Sequence, residues 1–448
     1  MKPLNNTDME QDKIIVGLDI GTTKICAIVG RKNQYGKLEV LGMGKAESEG
    51  VTKGVVTNID RTVSAISKAI MEASEQSGTN IQVVNVGIAG QHIRSYIQNG
   101  GITRTTKDEE ISIEDINRLT EDMHRLVLQP GNEIIHVMPQ DYTVDYVSGI
   151  NDPVGMEGVR LEADFHIITA HTSAINNINK CVRRSGMEID ELILEPLASS
   201  LSVLNDEEKL AGVCLVDIGG GTTDVAIFHN GIIRHTAVIP FGGNIITADI
   251  QEGLMVLGNN AEILKRRFGK AIADEASADE IVTIPGIRNR AAKEITVKNL
   301  ASIIQARMEE IIEMVHTEII SSGYEKKLGA GIVITGGGAQ LHALKQLVEF
   351  MTGIETKIGY PNEHMGKSKF EEVKSPMYAT AVGLALAGFK CLDEREAYYQ
   401  DQLTVKQQKQ PIGTKTGTGP IKLGLFDGIS NALKNILTDK HLGGEYRL

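Results

Sequence analysis

Two short stretches decide the fold. Asp19-Ile20-Gly21-Thr22-Thr23-Lys24 returns, 198 residues later, as Asp217-Ile218-Gly219-Gly220-Gly221-Thr222-Thr223-Asp224. Each copy sits between apolar, β-branched runs, the pattern of two buried strands joined by a tight turn. Glycine has no Cβ, so such a turn can press backbone N–H groups onto phosphate oxygens. An Asp at the strand end is placed to hold a hydrated Mg2+, which favours carboxylates and retained water. The Thr hydroxyls add phosphate donors. One copy alone reads equally as a glycine-rich hairpin with capping acids. Two copies at domain-scale spacing point to a two-lobed nucleotide clamp.

Further along, Ile334-Thr335-Gly336-Gly337-Gly338-Ala339 marks a strand-to-helix junction where small residues let backbone approach a base and phosphate. Such a junction is uninformative by itself and gains meaning from following the repeat. No GxxxxGK[ST] loop occurs, since Gly42-Met43-Gly44-Lys45 only imitates one, and no dinucleotide-type GxGxxG is present.

The chain has 448 residues, 41% hydrophobic and 23% charged, an ordinary globular composition with room for about three folding units. A net charge of −12, no Trp and 4% aromatics argue against a nucleic-acid binder. No apolar run approaches the ~20 residues a spanning helix needs. The polar N-terminus is unlike a signal peptide. Cys26, Cys181, Cys214 and Cys391 are scattered, as expected of reduced thiols rather than a zinc or disulfide framework. His92, His136, His166 and His171 lack ligand spacing and read as structural or exposed. Secreted, membrane-spanning and disulfide-built classes are excluded on these grounds.

Between the motifs, residues 60–77 predict an amphipathic helix capped by Asn58, and residues 83–89 a buried strand. From about 90 to 164 the pattern changes to an inserted α+β module, with residues 93–105 reading as a half-exposed strand pair and a helix started by Ser112. Helical segments are expected over 246–268 and 297–321, and a small-residue helix over 378–388. After Arg395 the periodicity fades into Gln, Lys, Gly, Thr and Pro, a linker composition over 396–422. The last stretch, 423–437, predicts an amphipathic helix with Leu425, Phe426, Ile429, Leu433, Ile436 and Leu437 on one face. It reads as a membrane-surface anchor, a partner-docking helix or a helix folded back on its own body; the nearby Lys422, Lys434 and Lys440 favour the anchor. From 396 onward seven Lys/Arg face five Asp/Glu, so the acidity belongs to the rest of the chain.

The order of these motifs, with Glu195-Pro196 between the repeats and a Ser375-Pro376-to-Gly388 small-residue helix at the end, resembles the actin/Hsp70/sugar-kinase ATPase superfamily over about 13–390. The resemblance implies α/β architecture, with two ribonuclease H-like lobes, each a five-stranded sheet flanked by helices, and ATP with Mg2+ in the cleft. By it, Asp19 and Asp217 match the metal-facing, catalytic aspartates and Glu195 the acid beside the attacking water. Gly21, Thr22, Thr23, Lys24, Gly219, Gly220, Gly221, Thr222 and Thr223 match the phosphate hairpins. Gly336, Gly337 and Gly338 match the adenosine loop. Glu262 and Lys265 match an AExxK helix lining adenine and ribose, although their spacing alone favours an exposed i, i+3 ion pair.

Within that superfamily, the insertion and the phrase Phe241-Gly242-Gly243-Asn244 through Ile250 resemble the FtsA family of bacterial cell-division proteins, and Gly243 joins the expected cofactor-binding residues. The implied organisation is 13–89, 165–211 and 376–395 as subdomain 1A, 90–164 as the inserted 1C, 212–247 and 313–375 as 2A, and 248–312 as 2B. The linker and the membrane-targeting amphipathic helix follow. The implied partners are FtsZ through 2B, further copies of the chain in an actin-like filament, later division proteins through 1C, and inner-membrane lipid, with no nucleic acid. The implied place is the cytoplasmic face of the inner membrane at the division septum. ATP hydrolysis is expected to be slow at most. A small-molecule kinase of the same superfamily is the alternative, but no substrate-side Asp base stands in motif context. An Hsp70-like chaperone would need a large domain where only about 50 residues remain.

Overall fold

In the computed structural model, which describes residues 13–104, 110–277, 279–285 and 291–408, both Asp-Ile-Gly stretches form the turns of antiparallel hairpins. The first joins strands Ile14–Ile20 and Lys24–Lys32, and the second Val213–Ile218 and Thr223–His229. Each hairpin begins a five-stranded sheet, and the two sheets share one topology. In the first sheet, Leu38–Glu47 pairs antiparallel outside the hairpin, while Val83–Ile88 and then Glu188–Leu194 add in parallel on the other side. In the second, Ile232–Ile239 takes the antiparallel edge, and Ile332–Thr335 and Thr356–Ile358 add in parallel. The motif repeat is therefore the visible part of a repeated lobe.

Helices cover the sheets where glycine permits close contact. The helix Ile59–Ser77 starts at Asn58, whose side chain accepts the Arg61 N–H at 3.0 Å. It buries Ala65, Ile66, Ala69 and Ala73. A Cβ on Gly44 would lie 1.8 Å from the Ala69 carbonyl, so this strand–helix approach requires glycine. In the second lobe the helix Val297–Ser321, capped by Thr296, buries Leu300, Ile304, Met308, Ile311 and Val315. The helical segments expected over 246–268 are Gly243–Leu254 and Gly258–Phe268, with Met255 between them in a left-handed conformation at φ 48°.

The inserted module is a four-stranded sheet in the order Arg94–Thr103, Arg160–His171, Asn132–Val144, Val147–Ile150, with the helix Ile113–His124 against it. Residues 93–105 do not make a strand pair: Arg94–Thr103 is one strand, paired with Arg160–His171. Gly100 and Gly101 do not form a turn. A Cβ on Gly100 would lie 2.7 Å from the Met123 side chain, so this glycine makes room for the helix. Ser112 caps that helix in a reciprocal box with Asp115. The module also touches the edge of the second lobe. Arg234 grips Asp141 with two nitrogens at 2.8 and 3.1 Å, and Ser95 donates to the Thr236 carbonyl at 3.1 Å. His92 and His166 are buried and His136 half-buried about this module, and desolvation first of all lowers the pKa of each to about 4.

The chain divides into one unit, Met1–Glu394, and a second, Arg395–Leu448. Within the first, buried Ala381, Val382, Leu384 and Ala385 of the last helix lie on the first sheet, where a Cβ on Gly17 would meet the Ala381 carbonyl at 2.7 Å. That helix runs Ala379–Gln408, so residues 396–408 are helical here and not linker. Glu396, Ala397, Leu403, Lys406 and the four Gln of this stretch are good helix formers, and a helix already nucleated extends through them without an apolar stripe. The rest of the expected linker and Leu425, Phe426, Ile429, Leu433, Ile436 and Leu437 of the expected amphipathic helix lie outside the described residues. Among the described residues, no helix is long and apolar enough to cross a membrane.

Candidate functional site

In the first hairpin Asp19 pairs with Cys26 and Ile20 with Ile25, leaving Gly21–Thr23 as the loop. In the second, Asp217 pairs with Asp224 and Ile218 with Thr223, and the loop is closed by the Gly219 N–H donating to the Thr222 carbonyl at 2.9 Å. The two loops interlock. A Cβ on Gly220 would stand 1.8 Å from Thr23 Oγ1, and one on Gly221 2.6 Å from Thr22 Oγ1. The third glycine stretch closes the same corner. Gly336 has φ 83°, and a Cβ there would lie 2.3 Å from Asp217 Oδ1. No other residue type suits that backbone and that contact.

These pieces enclose a cavity of about 460 Å³. Asp19, Gly21, Thr22, Thr23, Lys24, Glu195, Asp217, Gly219, Gly220, Gly221 and Thr222 line it, with Gly243, Glu262, Lys265, Gly336, Gly337 and Gly338. Thr223, counted with the phosphate hairpin, does not. Strand pairing turns its side chain the other way, and its fully buried hydroxyl donates to the Phe241 carbonyl at 2.8 Å. Gly243 is tied to the second loop, its N–H donating to the Gly219 carbonyl at 2.9 Å. Glu262 and Lys265 do form the i, i+3 ion pair, at 2.7 Å, but at the cavity wall. Lys265 is 14% exposed and also donates to the Gly243 carbonyl and to Thr247 Oγ1, both at 2.7 Å. The pair thus holds a helix end against the glycine phrase.

The floor of the cavity is acidic. Burial raises the Asp19 carboxyl to about 6, with Lys24 opposing and Asp217 adding to the rise. Burial also raises Asp217, against hydrogen bonds donated by Ser199 at 2.6 Å and Thr380 at 3.1 Å. Glu195 stands well above the carboxylate range through burial and then the charges of Asp19, Asp224 and Asp217. Asp224 is pushed up to about 8 by burial and then by Asp217. Lys24, lowered by burial, is the cation among them; it donates to the Met377 carbonyl and lies 3.7 Å from the centre of the Tyr378 ring. Four desolvated carboxyl groups beside one lysine form a site that favours a cation. Asp224 Oδ1 is buried with no hydrogen-bond partner among the described residues, consistent with an acceptor reserved for a ligand. Among those residues no three Asp, Glu, His or Cys side chains converge to coordinate a metal alone. Buried carboxylate oxygens are the hard donors that a hydrated Mg2+ takes.

Several cavity residues escaped the sequence reading. Asp224 closes the second motif, and an acid at each end of that hairpin was its signal. Thr380, Met308, Arg266, Arg267 and His342 also line the wall, and no local pattern marks them.

A family model for the cell division protein FtsA matches residues 214–383, and one for the SHS2 domain inserted in FtsA matches residues 90–169. The cell division protein FtsA of Pseudomonas aeruginosa (strain PAO1) is 42% identical over 382 residues, covering 85% of this chain and 91% of that protein. Its counterpart from Escherichia coli (strain K12) is 35% identical over 399 residues, covering 88% and 94%. Among solved structures, a type IV pilus PilM-PilN complex aligns at TM-score 0.59 and 16% identity over 84% of this chain and 98% of that one. MreB5 of Spiroplasma citri, bound to ADP, aligns at 0.51 and 14% over 86% and 99%. At such identities the likeness establishes the fold, the two-lobed actin-like one.

Proposed function

The chain belongs to the FtsA family of cell division proteins, and from that membership we propose that it binds ATP in the cleft and polymerises on the cytoplasmic face of the inner membrane. There it anchors FtsZ filaments and recruits later division proteins through the inserted module. One observation carries the nucleotide part: two interlocked glycine hairpins and a third glycine turn enclose one cavity with a buried acidic floor. Gly21, Thr22, Thr23 and Gly219 to Thr222 would take the phosphates, and Glu262, Lys265 and Gly336 to Gly338 the adenosine. Asp19, Asp217 and Asp224 would hold Mg2+, which supplies positive charge against the phosphates. Glu195 would orient water. Its raised pKa makes it a poor base until a cation enters, consistent with slow hydrolysis and with ATP acting chiefly as the ligand that closes the lobes.

The membrane part rests on the amphipathic pattern of 423–437, whose gross burial is worth roughly 9 kcal/mol before the cost of folding a short helix. Binding of one copy is then weak, and many copies on a filament bind firmly. Liposome flotation with ATP, Mg2+ and FtsZ tests this. The protein should carry FtsZ into the lipid fraction, and Leu425→Glu with Phe426→Glu should leave both at the bottom. Unchanged flotation of the variant refutes the anchor, and flotation of the protein without FtsZ refutes the adaptor.

A further inference from the structure

The two carboxylate oxygens of Asp217, near the end of the strand Val213–Ile218, have different neighbours. Oδ2 accepts two hydrogen bonds, from Ser199 Oγ at 2.6 Å and from Thr380 Oγ1 at 3.1 Å. Each hydroxyl has one proton to give. The 3.1 Å between Ser199 Oγ and Thr380 Oγ1 is then the spacing of two donors on one acceptor. Oδ1 accepts no side-chain hydrogen bond among the described residues and lies toward Gly336 on the cavity wall. Asp19, its counterpart in the first hairpin, accepts no side-chain hydrogen bond among the described residues.

The packing of two helices brings these hydroxyls together. Ser199 lies one turn beyond Glu195 on the helix Glu195–Val203 and is fully buried, and it does not line the cavity. Thr380 is the second residue of the helix Ala379–Gln408. The two helices meet backbone to backbone, since a Cβ on Gly383 would lie 1.9 Å from the Ala198 carbonyl. Ser202, also fully buried, donates to the Ala379 carbonyl at 2.7 Å and fastens the same junction without a bond to Asp217. A carboxylate held by two hydroxyls on one oxygen keeps its orientation and leaves the other oxygen for a ligand. We propose, on the reading that the cleft binds ATP with Mg2+, that Ser199 and Thr380 are positioning residues of the cation site. They hold Asp217 by Oδ2, so that Oδ1 is presented to the cation. One helix then carries the acid proposed to orient water and also fixes the aspartate of the second hairpin.

Calorimetric titration of the full chain with ATP, once with Mg2+ and once with EDTA, tests this through the ratio of the two dissociation constants. Ser199→Ala with Thr380→Val should cut the advantage that Mg2+ confers by about tenfold or more, with ATP binding in EDTA as in the parent. Thr380→Ser, which keeps the hydroxyl, should recover the Mg2+ effect that Thr380→Val loses, and this pair decides if the double variant does not fold. Ser202→Ala removes a hydroxyl from the same buried junction and should leave the ratio unchanged. An intact Mg2+ effect in the double variant, or an equal loss in Ser202→Ala, overturns the positioning role alone. Weakening in EDTA as large as that in Mg2+ also overturns it, because the hydroxyls then serve only the shape of the junction. A parent protein that binds ATP equally with and without Mg2+ refutes the metal reading itself, and the positioning role with it.

Discussion

Asp224 faces Asp217 across the second hairpin, desolvated, with one oxygen unpaired among the described residues. Burial and then Asp217 hold its folded-state pKa near about 8, far above the ordinary 3.8. The folded protein therefore prefers the neutral form. The stability this group contributes is complete below the unfolded value and is lost as pH rises through about 8. Asp19 behaves likewise, with its upper limit at about 6. Desolvated His92, His136 and His166 act in the opposite sense at lower pH, so a variant difference isolates the carboxylate. For ligand-free protein, the Tm of Asp224→Asn minus that of the parent should rise between about pH 5 and about pH 9, read by scanning calorimetry. A difference that is flat or falls with pH contradicts the protonated state of Asp224. At this scale, Asp19, Asp217 and the glycines were legible because a turn constrains its own residues. The hydroxyl of Thr380, 3.1 Å from Asp217, was not, because 163 residues separate them.

Elements with a local stop or start signal were read closely. The helix Ile113–His124 begins after Ser112, whose hydroxyl accepts the Asp115 N–H at 3.3 Å while the Asp115 carboxylate accepts the Ser112 N–H at 3.1 Å. Ser112→Ala removes one half of that box and should cost about 1 kcal/mol. Hydrogen exchange should show it as faster exchange in Ile113–His124 with the two five-stranded sheets unchanged. Equal acceleration in all three regions would mean the module does not open on its own. Elements whose meaning depended on a partner were read poorly. Gly100-Gly101 looks like a turn until Met123 is seen beside Gly100. The last helix carries no apolar stripe beyond Arg395, yet continues to Gln408. The AExxK pair joins an element pattern to a tertiary fact: Glu262 and Lys265 neighbour each other on any helix, but only packing sets them on the cavity wall.

Across the whole molecule, the two lobes meet through loops that glycine alone allows to interlock, over carboxylates that repel one another. The proposed Mg2+ and ATP phosphates would relieve that repulsion and couple the lobes. ATP with Mg2+ at 100 times its Kd should stabilise the fold by about 2.7 kcal/mol, read as a rise in Tm, and chelating Mg2+ with EDTA should remove most of the rise. An ATP effect indifferent to EDTA would place the acidic floor outside the binding event. The sequence by itself determined the lobes: hydrophobic alternation, turn glycines and strand-end acids act within a few residues and recur wherever they are written. The structure decided what those lobes do to each other. Thr223 turned away, Asp224 and Thr380 joined the cavity, the carboxyl groups lost their water, and the hydroxyls of Ser199 and Thr380 converged on Asp217. Desolvation and long-range contact depend on which surfaces meet, and no local pattern in the chain carries that information.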